Sequence, residues 1–310
     1  MKRICLFAGY HPHGEMAEYV VYYIKALASL ADVYYMADCA MQPGELEKLA
    51  PYVKGAWAVR HEKYDFGSWQ ELVHKIGWEK LAEYDECIFC NDSGFAPLFP
   101  LKPIFSAAEK DASLDAWGLN SFESDYFGSF FFVLKKTAVL SEAFKAFLMS
   151  VEKQPDVGDV IRKYEKNLPA VLRKGGFSYK VFTAAPQSVF NDWKDYILRG
   201  FPVLKIQIFT RKRLYADRQW LPNWRAFVRE HTGYPVELAE KHLRRVGIDP
   251  DGFDSFGFRL KSLWWAFRRW RRKGFRVHLA KKNKIIVLFG VTLLNNTVEQ
   301  SVHPVQPFKK

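Results

Sequence analysis

The sequence predicts an α/β protein: a Rossmann-type mixed sheet flanked by helices, with a basic amphipathic helical extension at the C-terminus. Short apolar runs alternate with helix-length segments over residues 3–90, which is the pattern of βαβ units in a mostly parallel sheet. Two more apolar runs, residues 115–120 and 129–134, then lie close in sequence, so the sheet should become mixed. Residues 259–284 hold eleven Lys or Arg and no acid, which sets a basic tail apart from a nearly neutral body in a chain of net charge +12.

The first half of the chain should contain four parallel strands joined by helices. Residues 3–8, 32–37, 55–59 and 86–90 predict these strands, and apolar residues at helical spacing from Met16 to Leu30 predict the first helix. Ser68 with Glu71 three residues later has the pattern of a capping box, so a helix should begin there and run to about residue 82.

Helices should dominate the second half, over residues 141–151, 157–173 and 187–199, with a late strand at 204–209. Residues 211–249 are polar and show no clear period, residues 259–280 predict a basic amphipathic helix, and residues 285–294 form a short apolar run. The expected units are a body of residues 1–210, a helical or irregular extension of 211–257 and a basic tail of 258–310.

Composition also indicates the compartment. Four cysteines without framework spacing favour a reducing environment. Neither a signal peptide nor an uncharged apolar run of about 18 residues is evident, so a cytoplasmic protein without a spanning helix is expected.

Polar side chains collect where the predicted parallel strands end, which is where open α/β sheets bind their ligands. Loops are polar in any case, so this signal alone is moderate. The candidate binding residues are His11, His13, Asp38, Arg60, Asp65, Asn91, Asp92 and Ser93.

Asp92 is the sharpest of these candidates because it follows an apolar strand and precedes Gly94 and Pro97. A simple turn or helix cap would explain the same position. As a ligand, its carboxylate could hold Mg²⁺ or Mn²⁺, since such ions bind through one or two carboxylates together with phosphate oxygens. A divalent cation on Asp92 is therefore the expected cofactor.

Two other patterns favour metal chemistry less. His11 and His13 lack a matching ligand pair, so a phosphate or sugar contact, or a solvated loop, suits them better. Cys87 and Cys90 have CxxC spacing, but on a strand they point to opposite faces.

Several motifs occur in the order found in the rhamnan synthesis protein F family, which the chain resembles over about residues 3–210. The more specific ones are YDFGSW at residues 64–69 and NDS at 91–93, followed by Pro97 and Leu98; weaker ones are AWGL at 116–119, SFF at 129–131, YE at 164–165, GGF at 175–177 and the segment 191–205. Two segments depart from the family pattern. Residues 126–131 read YFGSFF where HxQSYF is common, and residues 10–14 carry histidines where Asp is usual.

The resemblance implies a GT-A-like glycosyltransferase of bacterial rhamnan, O-antigen or capsule synthesis. Its substrates would be a nucleotide-sugar donor, with rhamnose as a candidate sugar, and a lipid-linked glycan acceptor. Inverting transfer needs a carboxylate base to deprotonate the acceptor hydroxyl. Glu165 resembles the acidic motif that supplies this base, although an exposed helix residue paired with Arg162 or Lys166 would look the same. Asp125 is the second catalytic candidate, and Glu123 also competes. A binding module that kept the fold and lost catalysis is the alternative, favoured by the altered segment 126–131.

The basic tail predicts a partner surface. Apolar side chains fall on one helical face and cations largely on the others, the apolar ones being Leu260, Leu263, Trp264, Phe267 and Trp270. This pattern is typical of a helix that lies in the headgroup plane of an anionic membrane, so residues 259–294 should bind the inner face of the cell membrane. A helix packed on the body is the alternative. No nucleic-acid motif accompanies the charge, so no nucleic-acid partner is expected.

Overall fold

The computed structural model describes residues 1–123, 126–183, 188–210, 221–273, 275–280, 283–288 and 291–294. Its strands are β1 (Arg3–Gly9), β2 (Asp32–Ala37), β3 (Val53–Ala58), β4 (Glu86–Asn91), β5 (Gly94–Phe95), β6 (Ala116–Glu123), β7 (Tyr126–Phe127), β8 (Phe131–Lys135), β9 (Tyr179–Thr183), β10 (Leu204–Lys205), β11 (Phe275–Ala280), β12 (Asn283–Leu288) and β13 (Val291–Leu294). Its α-helices are α1 (Glu18–Ala28), α2 (Tyr64–Ile76), α3 (Trp78–Leu81), α4 (Lys102–Glu109), α5 (Lys136–Val139), α6 (Glu142–Met149), α7 (Val157–Val160), α8 (Leu168–Lys174), α9 (Trp193–Leu198), α10 (Gln207–Thr210), α11 (Trp224–His231), α12 (Val236–Arg245) and α13 (Phe256–Lys273).

The central sheet is mixed, as the sequence predicts. Its eight strands follow the order β3-β2-β1-β4-β8-β6-β7, with β9 also paired to β6. Strands β1 to β4 pair in parallel, and β8 lies antiparallel between β4 and β6. The carboxyl ends of β1, β2, β3, β4 and β6 therefore meet the amino end of β8 at one edge of the sheet.

Two hydrophobic cores cover the two faces of the sheet, because successive side chains of a strand point to opposite sides. Strand β1 is buried along its whole length. Its Cys5 and Phe7 pack in the core that contains α1, whereas Ile4 and Leu6 pack in the core that contains α2, α6 and α8. This double burial makes β1 a rigid centre from which the loops at the carboxyl edge project.

The predicted capping box is wrong. Helix α2 begins at Tyr64, four residues before Ser68, and the hydroxyl of Ser68 is buried inside the helix against His61 Nε2 at 3.0 Å. The cap comes instead from the distant Asp38, whose carboxylate accepts the backbone N–H groups of Glu62 and Tyr64 at 2.7 and 3.2 Å. The helix also ends earlier than predicted, at Ile76, where Gly77 takes a φ of 79°.

The chain after β5 differs from the prediction at several places. The single helix expected over residues 157–173 is divided into α7, a π-helical turn (Ile161–Glu165) and α8, which begins beside Pro169, a residue with no N–H to continue the ladder. The late strand shrinks to β10 and is followed by α10. Helix α4 and strand β9 were not predicted.

Residues beyond 220 contribute to the core beneath α1. Buried side chains of α11 and α12 join that core, namely Trp224, Val228, Val236, Ala239 and Leu243. The division of the chain into three units stays a prediction.

The C-terminal tail is only partly helical. Helix α13 ends at Lys273, and residues 275–280 of the helix expected over 259–280 form β11 instead. Strand β11 pairs antiparallel with β12, which pairs antiparallel with β13. The apolar residues Phe275, Val277 and Leu279 alternate at the strand period, which explains the difference. Over the parts of the chain that the structure describes, no helix is both long and apolar enough to span a bilayer.

Candidate active site

A cavity of about 610 Å³ opens at the carboxyl edge of the sheet. It lies where β1, β2 and β4 end, and the π-helical turn and β10 complete its walls. Six of the eight predicted binding residues line it, together with Glu165; the six are Asp38, Arg60, Asp65, Asn91, Asp92 and Ser93. Separate loops thus converge on one pocket, because the carboxyl ends of parallel strands lie at the same edge of the sheet.

Asp92 joins the ends of β1 and β4. Its Oδ2 accepts the Tyr10 N–H at 2.7 Å, and its own N–H donates to the Ala8 carbonyl at 3.2 Å. Burial raises the pKa of the Asp92 carboxyl to about 7, and the nearby Asp65 carboxylate adds to this, while the Tyr10 hydrogen bond opposes it. A carboxyl that titrates near neutrality in a cavity is a feature of functional sites.

Asp65 connects the pocket residues to one another. Its Oδ2 accepts the Asn91 side-chain N–H at 2.9 Å and the Ser129 hydroxyl at 3.2 Å. Asn91 Oδ1 in turn accepts the backbone N–H and the hydroxyl of Ser93 at 3.1 and 2.5 Å. Burial raises the pKa of Asp65, against the lowering effect of these hydrogen bonds. Asp65 therefore orients two loops at the floor of the cavity.

Glu165 is buried at the end of the π-helical turn. Its Oε1 accepts the Ser129 N–H at 2.8 Å, and burial raises the pKa of its carboxyl. The alternative of an exposed helix residue paired with Arg162 or Lys166 is wrong as to exposure, since Glu165 is 8% exposed, and Arg162 pairs with Asp159 instead. π-Helical turns are frequent at functional sites. The competing base Asp125 and the side chain of Glu123 lie outside the described residues.

Asp38 and Arg60 form the wall and rim rather than the floor. Besides the two N–H groups that cap α2, the Asp38 carboxylate accepts the His61 N–H at 2.9 Å. It thereby holds a loop in which Glu62 and Tyr64 have φ values near 60°. Arg60 is exposed, and contact with the Tyr10 hydroxyl raises the pKa of its guanidinium. Because three backbone N–H groups donate to the Asp38 carboxylate, its role is to hold the shape of this loop.

His11 and His13 are not brought to the cavity. His11 is buried, and its Nδ1 accepts the N–H groups of His13 and Glu15 at 3.3 and 3.2 Å. Its ring packs near that of His242 from α12, with the centroids 6.5 Å apart. The loop after β1 thus turns toward α12, and these two histidines lie outside the pocket lining.

Sequence reasoning missed Lys205 and Ser129 as pocket residues. Lys205 Nζ donates to the Ser93 hydroxyl at 2.6 Å, although the two residues are 112 positions apart. Ser129 contacts both Asp65 and Glu165. Each lies in a segment that resembles a family motif, SFF or the stretch 191–205, and this was the available signal.

Comparison with solved structures finds remote matches. The solved structures that match include a putative nucleotide-diphospho-sugar transferase from Desulfovibrio desulfuricans G20, at 14% identity, 74% of this chain, 99% of that chain and a TM-score of 0.38. S. aureus TarS matches at 12% identity over 93% of this chain and 59% of that chain, with a TM-score of 0.38. Mouse xyloside xylosyltransferase 1 matches at 9% identity over 58% and 84%, with a TM-score of 0.34. TM-scores this low give no support to a shared activity. A search of curated proteins finds no matching sequence.

The family comparison is the stronger finding. The family model for rhamnan synthesis protein F matches residues 33–266, about three quarters of the chain. The match confirms the family expected from the motifs and, with it, the general class of glycosyltransferases in polysaccharide synthesis. The chain belongs to the rhamnan synthesis protein F family.

Proposed function

We propose that the protein transfers a sugar, with rhamnose as the first candidate, from a nucleotide-sugar donor to a lipid-linked glycan, with inversion at the anomeric carbon. The supporting observation is the cavity at the carboxyl edge of the sheet, where Asp92 and Glu165 line the same space. One carboxylate lies at the strand ends that hold nucleotides in open α/β sheets, and the other projects from a separate helical turn.

Glu165 is the proposed base. The acceptor hydroxyl attacks the anomeric carbon, a new C–O bond forms, and the bond between that carbon and the diphosphate oxygen breaks. The hydroxyl proton passes to a Glu165 carboxylate oxygen. The raised pKa of Glu165 favours this step, because a base whose pKa is closer to neutrality holds the proton more readily. Ser129 holds the Glu165 carboxylate in position, since the Ser129 N–H donates to Oε1.

Asp92 is the proposed ligand of a divalent cation, Mg²⁺ or Mn²⁺. Among the residues that the structure describes, no group of three or more His, Cys, Asp or Glu could hold a metal. The donor diphosphate and water would therefore have to complete the shell, which is the usual way in which Mg²⁺ is held. A half-buried carboxyl with a raised pKa fits this role, because a cation favours its ionised form. Such an ion would offset negative charge on the leaving diphosphate.

The test is release of nucleoside diphosphate from UDP- and dTDP-sugars, with acceptor lipid, in Mn²⁺, in Mg²⁺ and in EDTA. Glu165→Gln should lower turnover about 100-fold or more while donor binding is kept. Glu152→Gln is the matched control, because Glu152 is exposed and paired with Lys163 at 3.0 Å. Full activity of Glu165→Gln would remove it as the base, and full activity in EDTA would remove the cation.

A specific observation favours a second candidate function. Residues 126–131 depart from the family pattern, which suits a module that binds a nucleotide sugar or glycan without catalysis. This candidate predicts donor binding without turnover for every acceptor and donor tried. Turnover by the wild-type protein excludes it.

The tail is proposed to bind an anionic membrane on its inner, cytoplasmic face. Four apolar side chains of α13 are exposed at positions that share one helical face: Phe256, Leu260, Leu263 and Trp264. The opposite face packs inward, where Phe258 meets the Phe253 ring at 5.3 Å. An outward apolar face followed by many cations suits a helix in the headgroup layer.

A further inference from the structure

Lys205 reaches the cavity from a remote strand. Strand β10 pairs antiparallel with β5, which sets Lys205 opposite Gly94, and the Ile206 N–H donates to the Ser93 carbonyl at 3.2 Å. The Lys205 side chain lines the cavity, and the residue is only 5% exposed. The β10–β5 pairing and this hydrogen bond therefore hold a lysine beside the predicted donor-binding residues.

Two of the described residues contact the ammonium group of Lys205 and help to fix its position. Nζ donates to the Ser93 hydroxyl at 2.6 Å, and it lies 4.2 Å from the centroid of the Phe130 ring. Ser93 is in turn bonded to Asn91, so the lysine belongs to the hydrogen-bonded chain that runs through Asp65. A lysine held on both sides has lost most of its rotamer freedom before any ligand arrives.

The charges around the cavity give this lysine a function. Asp65 and Asp92 are half-buried there and Glu165 is buried, and the charge of Lys205 opposes the rise in pKa of all three carboxyls. A diphosphate would be repelled by these acids unless cations face it.

Arg60 and Lys153, the two other cations of the described lining, are poorly placed to face a diphosphate. Arg60 lies 3.7 Å from Glu62, Lys153 also contacts Glu62, and both cations are more than half exposed at the rim. Lys205 is therefore the buried cation of the described cavity lining.

We propose that Lys205 binds the diphosphate of the donor and remains on it as it leaves. This inference rests on the proposed function, because it needs a nucleoside diphosphate in the cavity. The leaving diphosphate gains negative charge as its bond to the anomeric carbon breaks, and a preorganised ammonium stabilises that charge. The compact ammonium can contact phosphate oxygens while its stem stays over Phe130.

Calorimetric titration in excess Mg²⁺ tests this role, with UDP, dTDP, and the nucleosides uridine and thymidine as ligands. Lys205→Met removes the charge and keeps an apolar stem. It should weaken binding of the diphosphate that the wild type prefers by about tenfold or more, with nucleoside binding changed less than about twofold. Lys205→Arg should lose less than Lys205→Met. Lys153→Met is the matched control and should change both ligands by less than about threefold.

The outcomes separate the two proposals. If the wild type binds no nucleoside diphosphate, the proposed function fails, and this inference fails with it. If the wild type binds and Lys205→Met binds equally well, only the inference is overturned. If Lys205→Met does not fold, Ser93→Ala decides, because it removes the hydroxyl that orients Nζ. An unchanged ratio of diphosphate to nucleoside affinity in Ser93→Ala would then overturn the role of Lys205.

Discussion

Replacing Asp92 by asparagine should make the protein more stable than the wild type above neutral pH while it loses activity. Asparagine has nearly the same shape, and its side-chain oxygen can still accept the Tyr10 N–H. What the substitution removes is a half-buried, poorly solvated negative charge. The gain should therefore depend on pH in a way that follows from the pKa of Asp92.

The sign and size follow from proton linkage. The pKa of Asp92 is raised from 3.8 to about 7 on folding, so the folded protein binds a proton that the unfolded chain has already lost. The wild type consequently loses stability as pH rises through this window. At about 1.36 kcal/mol per pKa unit, the cost is on the order of 4 kcal/mol near pH 8 and about 2 kcal/mol near pH 5. The advantage of Asp92→Asn should accordingly shrink by roughly 2–3 kcal/mol between these two pH values.

Urea unfolding in EDTA at both pH values measures this difference as a change in midpoint at constant slope. Asp111→Asn is the control, because Asp111 is an exposed carboxylate whose pKa is lowered by its hydrogen bonds to Ser113. It should give no stability gain near pH 8. An Asp92→Asn protein with the same advantage at both pH values, or none near pH 8, would refute the reasoning.

Three further predictions address other parts of the molecule. Ser129→Ala should keep the backbone N–H on Glu165 but lose the hydroxyl on Asp65, so turnover should fall less than in Glu165→Gln, as measured by nucleoside diphosphate release. Burial lowers the pKa of His242 from 6.5 to about 4, so acidification from pH 6.5 toward 4 should destabilise the wild type, by about 2 kcal/mol near pH 5, and His242→Phe should remove most of this loss in urea titrations. Leu263→Asp should reduce sedimentation with anionic liposomes and leave nucleotide binding unchanged; equal sedimentation of variant and wild type would contradict the membrane role of α13.

Local patterns were enough to predict the parallel half of the sheet. Strands β1 to β4 are short apolar runs between helices, and both signals lie within a few residues of each element. Since carboxyl ends of parallel strands meet at one edge, Asp38, Asp92 and their neighbours could be assigned to a common pocket before the fold was known. The family motifs added Glu165, which no periodicity would have selected.

Features that depend on distant partners could not be read in this way. Ser68 looked like a helix cap, but a carboxylate thirty positions earlier caps α2 and leaves Ser68 inside it. His11 looked like a ligand contact, but α12, more than 200 residues later, covers its ring. In each case the residue type suited the expected role. A segment distant in sequence, however, already performed that role or covered the side chain.

The amino-acid sequence by itself thus determined the strand-helix alternation, the polar edge, the basic tail and the family. Only the tertiary structure decided which polar residues share one cavity. Lys205 enters the site because β10 pairs with β5, and Ser129 does so because β8 runs antiparallel to β4. Strand pairing between segments far apart in sequence depends on the packing of the whole core, and no local periodicity encodes it.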